Sequence, residues 1–145
     1  MHNRIIKEAR EWVGTPFHHN QCLKGHGVDC VNLVVGVGHN LGICELLDSK
    51  YKNYSQKPSP KFFISGMEFF LNKIENDEFQ PGDICAIAWK RNLPMHAAIY
   101  IGNDSIIHTS MNLGRVVEVY IDDNFRSKIH SWWRYKNGWC SYFSS

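Results

Sequence analysis

No apolar run in this chain approaches the roughly 18 residues of a membrane span. Positive charge is not clustered either. The longest Lys/Arg run is the pair Lys90-Arg91, and the formal net charge is only +2. Binding to a nucleic-acid backbone needs clustered positive charge, so no such partner is expected. The N-terminus, Met1-His2-Asn3-Arg4, leads into charged residues instead of a signal-peptide core. The expectation is a protein that is cytoplasmic when made, or exported by a route without a cleaved signal. There is no Cys-x-x-Cys pair. The five cysteines are Cys22, Cys30, Cys44, Cys85 and Cys140, an odd number that leaves at least one thiol outside any intrachain disulfide set. A reducing compartment is the simpler reading. Internal repeats, low-complexity tracts and linkers are also missing.

What remains is the material of one domain spanning residues 1–145, 43% hydrophobic and 13% aromatic, enough for a single core. A charged fraction of 21% argues against disorder. Ile5, Ile6, Ala9, Trp12 and Val13 fall at helical spacing, and Gly14 with Pro16 stops that helix. Residues 17–28 have no period and read as a loop. Asp29 is a good N-cap for a second helix from Cys30, carrying Val31, Val34, Val35, Val37 and Leu41 to an end at Gly42. Residues 43–58 are polar and mixed. Ser59-Pro60 then opens a third helix expected to run to about Asn76, with Phe63, Met67, Phe70 and Ile74 at helical spacing. After the turn Pro81-Gly82-Asp83 the period changes to that of strands, at 84–89, 97–101, 105–109 and 115–120, with 129–135 and 139–143 as further candidates. Asn103-Asp104 is the expected tip of a hairpin. Helices first and strands second predicts an α+β domain with a mainly antiparallel sheet.

Cys30 stands out by position. A cysteine in the first turn of a helix meets unpaired N–H groups and the positive end of the dipole, which favour the thiolate. The same N–H groups can hold an oxyanion. The bland alternative is a buried structural cysteine, since free cysteine is among the most buried residue types. A thiol nucleophile needs a base, usually histidine. His96 stands at the mouth of an apolar strand, and His108 lies inside the next one, where it could orient the His96 ring. Either could instead be a satisfied core or rim histidine. Simple alternation opposes the pairing. A flat hairpin with a two-residue tip puts His96 and His108 on opposite faces, and a three-residue tip leaves them roughly 13 Å apart, so a bulge or bend is required. The competing constellation is a metal site at His18, His19, Cys22, His26 and Cys30, but its spacing of four lacks the tight ligand pairs of structural zinc. A solvated loop is the favoured reading. Trp132, Trp133, Tyr135 and Trp139 read as core packing, with a groove for glycan or peptide as the alternative.

Taken together, these stretches resemble the NlpC/P60 family of cysteine peptidases. The resemblance is carried by Ala9-Arg10-Glu11-Trp12-Val13-Gly14-Thr15-Pro16-Phe17, by Gly27-Val28-Asp29-Cys30-Val31-Asn32-Leu33-Val34, and by Pro81-Gly82-Asp83-Ile84. His96-Ala97-Ala98-Ile99-Tyr100-Ile101-Gly102 and Ile106-Ile107-His108-Thr109-Ser110 complete it, in the family's order, from about residue 5 to 120. Thr15-Pro16-Phe17-His18-His19 and the following Lys-Gly-rich loop are similar to the phage-encoded cell-wall peptidases of that family. The resemblance implies a papain-like α+β fold with the nucleophile's helix packed on an antiparallel sheet. It implies Cys30 as nucleophile, His96 as base, His108 as orienting residue, and no metal or organic cofactor. Two departures bear on the site. Val31-Asn32 stands where many members have Ser-Gly, and Phe17 falls near a common tyrosine, whose hydroxyl it cannot replace.

The activity implied is hydrolysis of an amide in a peptidoglycan stem peptide through a thioester, with the bond between D-glutamate and a diamino acid as one candidate. Two alternatives stay open. One is a phage tail assembly or structural protein that keeps the fold with little catalysis and has tail proteins as partners. The other is an acyltransferase whose thioester is resolved by an acceptor other than water. Location in a virion tail, or delivery to the periplasm or cell wall, follows from the same resemblance.

Overall fold

The computed structural model of the protein describes residues 2–43 and 59–136. The expected strand at 139–143, Cys44, Trp139 and Cys140 lie outside the described residues.

Helix α1 spans His2–Arg10 and buries Ile5 and Ala9, with Trp12 just beyond its end. The chain then tightens through Trp12 N–H to Ala9 C=O and Val13 N–H to Arg10 C=O, and Gly14 turns it with φ +93. The stretch expected to be loop contains a small antiparallel ladder, β1 (Cys22–Leu23) with β2 (Gly27–Val28). Helix α2, Cys30–Asn40, starts where Asp29 predicts. Its Gly36 faces Trp12 of the α1 segment at a distance that leaves no room for a Cβ.

Helix α3, Pro60–Phe70, opens as expected, with Ser59 accepting the Phe62 N–H and Pro60 in the first turn. It ends six residues before Asn76. Leu71 is extended, and Leu71–Ile74 forms strand β3. The periodic apolar positions there are satisfied by sheet pairing instead, Leu71 opposite Tyr135 and Ile74 opposite Trp132. This is tertiary pairing overriding a local helical pattern.

The remaining elements are β4 (Ile84–Ile87), β5 (His96–Gly102), β6 (Ser105–Ser110), β7 (Arg115–Tyr120), the short helix α4 (Asp123–Arg126) and β8 (Ile129–Tyr135). They make an antiparallel six-stranded sheet in the order β3-β8-β4-β5-β6-β7. One face carries Ile84, Ala86, Ala97, Ile99, Ile107 and Trp133 against α1, α2 and α3, and this is the main core. The other carries Cys85, Ile87, Ala98, Ile106 and Trp132 in a smaller cluster closed by Phe125, Ile129 and Tyr100. Trp133 and Tyr135 are core residues, as expected, and the Tyr135 hydroxyl donates to the Val34 carbonyl of α2 at 2.6 Å. No helix among the described residues is long and apolar enough to cross a membrane.

Candidate active site

Asp29 builds the start of α2. Its buried carboxylate accepts the Asn32 N–H at 2.9 Å, the Asn32 side-chain amide at 3.2 Å and the Asn20 N–H at 2.7 Å. The preceding loop is thereby strapped to the helix start. Thr15 Oγ1 accepts the Gly25 N–H, Phe17 N–H donates to Gly114 C=O, and Val28 N–H donates to Pro16 C=O. A Cβ at Gly27 would collide with His18 and Gln21, so only glycine fits that point of the loop. The cap takes the Asn32 N–H and leaves those of Cys30 and Val31. Both face the Cys30 sulfur, as does the N–H of Ala97 on β5. Cys30 therefore lies against the residue that follows His96.

The parity problem of the hairpin is solved by a bulge. Its tip is Asn103-Asp104, with φ 51 and 55, the left-handed conformation that a two-residue turn requires. Gly102 pairs with Ser105, but Tyr100 pairs with Ile106, so Ile101 is one residue in excess. From Ile99 opposite Ile107, the register continues to set His108 across from Ala98, on the same face as His96. Diagonal neighbours of this kind lie within reach of long side chains. His96 Nε2 and His108 Nδ1 are 2.8 Å apart.

Aromatic rings wall off the pair. Trp89 lies 6.0 Å from the His96 ring, Phe125 lies 6.2 Å from that of His108, and the two aromatics meet edge to face at 5.4 Å. Burial is the main reason that the His96 imidazole falls to about 3, with the neighbouring His108 second. Burial alone takes His108 to about 4. Both rings are therefore neutral at pH 7, and their shared bond needs one donor and one acceptor. If His96 Nε2 carries the hydrogen, its Nδ1 keeps a free lone pair and can act as a base.

The thiol does not behave as position alone suggests. Burial pushes Cys30 up to about 12, and the adjacent Asp29 carboxylate adds to the rise, outweighing the N–H groups that favour the thiolate. Cys85, buried within the sheet, is also pushed up to about 12. What distinguishes Cys30 is partial exposure at a helix start against β5. No hydrogen bond joins its sulfur to either imidazole among the described residues, although catalytic contacts often tighten only when substrate binds.

The residues of the competing metal constellation are dispersed. His18 and His26 are exposed, and the Cys22 thiol donates to the Asn32 carbonyl at 3.3 Å. Among the described residues no three His, Cys, Asp or Glu side chains gather as a metal site. Sequence reasoning missed the walls. Trp89, an aromatic residue closing the expected strand 84–89, was an available signal, whereas Phe125 gave none.

The NlpC/P60 family model matches residues 14–134, a span that holds Cys30, His96 and His108. The chain belongs to the NlpC/P60 family. It is 28% identical over 113 residues to tail tip assembly protein K of Escherichia phage lambda, covering 77% of this chain and 56% of that protein. It thus spans little more than half of that relative's length. Among solved structures, an NlpC/P60 family protein from Bacillus cereus matches with TM-score 0.67 and 18% identity, over 93% of this chain and 40% of the other. The NlpC/P60 domain of the peptidoglycan hydrolase SagA matches with TM-score 0.63 and 17% identity, over 94% and 99%. The peptidoglycan hydrolase RipB from Mycobacterium tuberculosis gives 0.62 and 16%, over 94% and 65%. At these identities the likeness is one of fold.

Proposed function

We propose that this NlpC/P60 domain is a cysteine peptidase of peptidoglycan stem peptides. The observation that carries the reading is the 2.8 Å bond between His96 and His108, on a strand whose next N–H faces the Cys30 sulfur. In this reading His108 Nδ1 accepts from His96 Nε2 and leaves His96 Nδ1 as the base. Thiol and imidazole are both neutral at rest, so the proton moves to His96 as the sulfur attacks the amide carbonyl. The oxyanion takes the Cys30 N–H left free by the Asp29 cap. Collapse of the tetrahedral adduct expels the amine, which receives the proton from His96, and leaves a thioester on Cys30. Water, deprotonated by His96, attacks the thioester and releases the acid and the thiol. Phe17 contributes no hydroxyl, so the backbone carries the oxyanion in this chain.

Digestion of purified stem peptides by wild type and by Cys30→Ala, with products identified by mass spectrometry, tests the proposal. Cleavage by wild type alone is expected. Absence of cleavage by a folded wild type would overturn it. A second reading, a tail component with little catalysis, is favoured by the similarity to the phage lambda tail tip assembly protein. Under it, Cys30→Ala would leave tail assembly intact and wild type would show no turnover.

A further inference from the structure

The sheet face turned away from α1 and α2 holds a recess of about 220 Å³. Its wall is aromatic. Phe79 lies flat on Trp132, with ring centroids 4.0 Å apart and planes 8° apart, and Tyr100 meets both edge-on at 5.3 and 5.5 Å. Ile121 adds apolar surface. The rim is polar and planar. The Arg126 guanidinium pairs with the Asp104 carboxylate at 2.9 Å, both exposed, and Asn76 stands on the same rim. Phe79 itself is 39% exposed.

We propose that this recess binds a saccharide ring, an N-acetylated hexosamine of the glycan strand that bears the peptide substrate. A pyranose has an apolar C–H face and an equatorial belt of hydroxyl and amide groups. Such a ligand matches aromatic walls beneath a rim of amide, carboxylate and guanidinium. A simple anion does not match, because Arg126 is already paired with Asp104 and Asp123. A purely apolar ligand would cover that ion pair without replacing its water.

Placement supports the same ligand. Tyr100 and His96 share one face of β5, four residues or roughly 13 Å apart. Arg126 adjoins Phe125, whose ring walls His108. An extended peptide covers that distance in about four residues. A peptide attached to a sugar in the recess therefore reaches the His96 end of β5. This inference rests on the stem-peptide reading for the substrate, but its binding test does not need cleavage.

The probe is chitotetraose, a β-1,4-linked N-acetylglucosamine tetramer without peptide, titrated calorimetrically into wild type, Cys30→Ala, Phe79→Ala and Arg126→Ala. Urea midpoints confirm that each variant is folded. Saturable binding is expected for wild type and Cys30→Ala alike, weakened at least about tenfold by each of the other two substitutions. In Phe79→Ala the ratio of kcat/KM for glycan-linked over free stem peptide also falls. Absence of chitotetraose binding overturns the proposal. So does binding that neither Phe79→Ala nor Arg126→Ala weakens, or an aromatic peptide that binds where the sugar does not. Saccharide binding without any peptide cleavage would refute the peptidase reading alone. Cleavage without saccharide binding would refute the recess alone.

Discussion

Replacing His108 by alanine removes the hydrogen-bond partner of His96 Nε2, 2.8 Å away behind Trp89 and Phe125. A donor left unpaired costs about 1–3 kcal/mol when fully buried, and about 1–2 kcal/mol at this part-buried bond. In the orientation of the base, that energy corresponds to a fall in kcat of about 5- to 30-fold. The His96 ring also becomes free to move its hydrogen to Nδ1, the atom that must accept the thiol proton. His108 touches no substrate in this account, so kcat and kcat/KM should fall together. His108→Asn restores an acceptor oxygen and should recover part of the loss. Steady-state cleavage of a stem peptide reads the rates. Nitrogen-15 NMR of the imidazoles reads the tautomer, expected as Nε2–H for His96 in wild type and mixed in His108→Ala. The orienting role of His108 fails if His108→Ala stays within about twofold of wild type, below the loss an unpaired donor brings. It fails equally if asparagine rescues no better than alanine.

The raised Cys30 thiol predicts that alkylation by iodoacetamide climbs steadily towards alkaline pH; a plateau between about pH 5 and 8 would mean a resting thiolate–imidazolium pair. The half-buried histidines predict acid lability. Their folded values of about 3 and about 4 lie below the ordinary 6.5, so as pH falls through 6.5 protons bind the unfolded chain first. Stability is full above 6.5 and declines towards the folded values, by at most about 1.4 kcal/mol per pH unit for each histidine. The urea midpoint should therefore be lower at pH 5 than at pH 7, less so in His108→Asn, and an unchanged midpoint would contradict burial of the pair. Gly36→Ala would place a Cβ 2.6 Å from the Trp12 ring and 2.9 Å from the Cys22 sulfur. Such overpacking between α1 and α2 should cost about 1–3 kcal/mol in urea unfolding, and a neutral result would show that Trp12 can move aside.

Local chemistry made several elements legible. Asp29 and Ser59 are caps because their side chains satisfy orphan N–H groups three residues on, and both helices begin there. Asn103-Asp104 supplies the hairpin tip because both residues tolerate positive φ. Other features depend on partners distant in sequence. The end of α3 at Phe70 is set by β8, whose edge takes Leu71–Ile74 as a strand, and nothing local to residues 71–76 marks it. The meeting of His96 with His108 turns on one extra residue, Ile101, which moves every later side chain to the other face. The thiol illustrates a contest of magnitudes. The helix start favours the thiolate, but burial and the adjacent Asp29 outweigh it, and neither burial nor its extent is written in the spacing. Trp132 was ambiguous for the same kind of reason. It is buried as a core residue should be, yet it also walls a recess that needs Phe79, Tyr100 and Arg126 from three separate segments.

The central claim is that Cys30 becomes acylated by a stem peptide. Rapid acid quenching during turnover, followed by mass spectrometry of the intact protein and of its peptides, tests it most directly. The account predicts a transient gain equal to the acyl fragment, located on Cys30 and absent from Cys30→Ala. Turnover by Cys30→Ala, or an adduct on another residue, would contradict it.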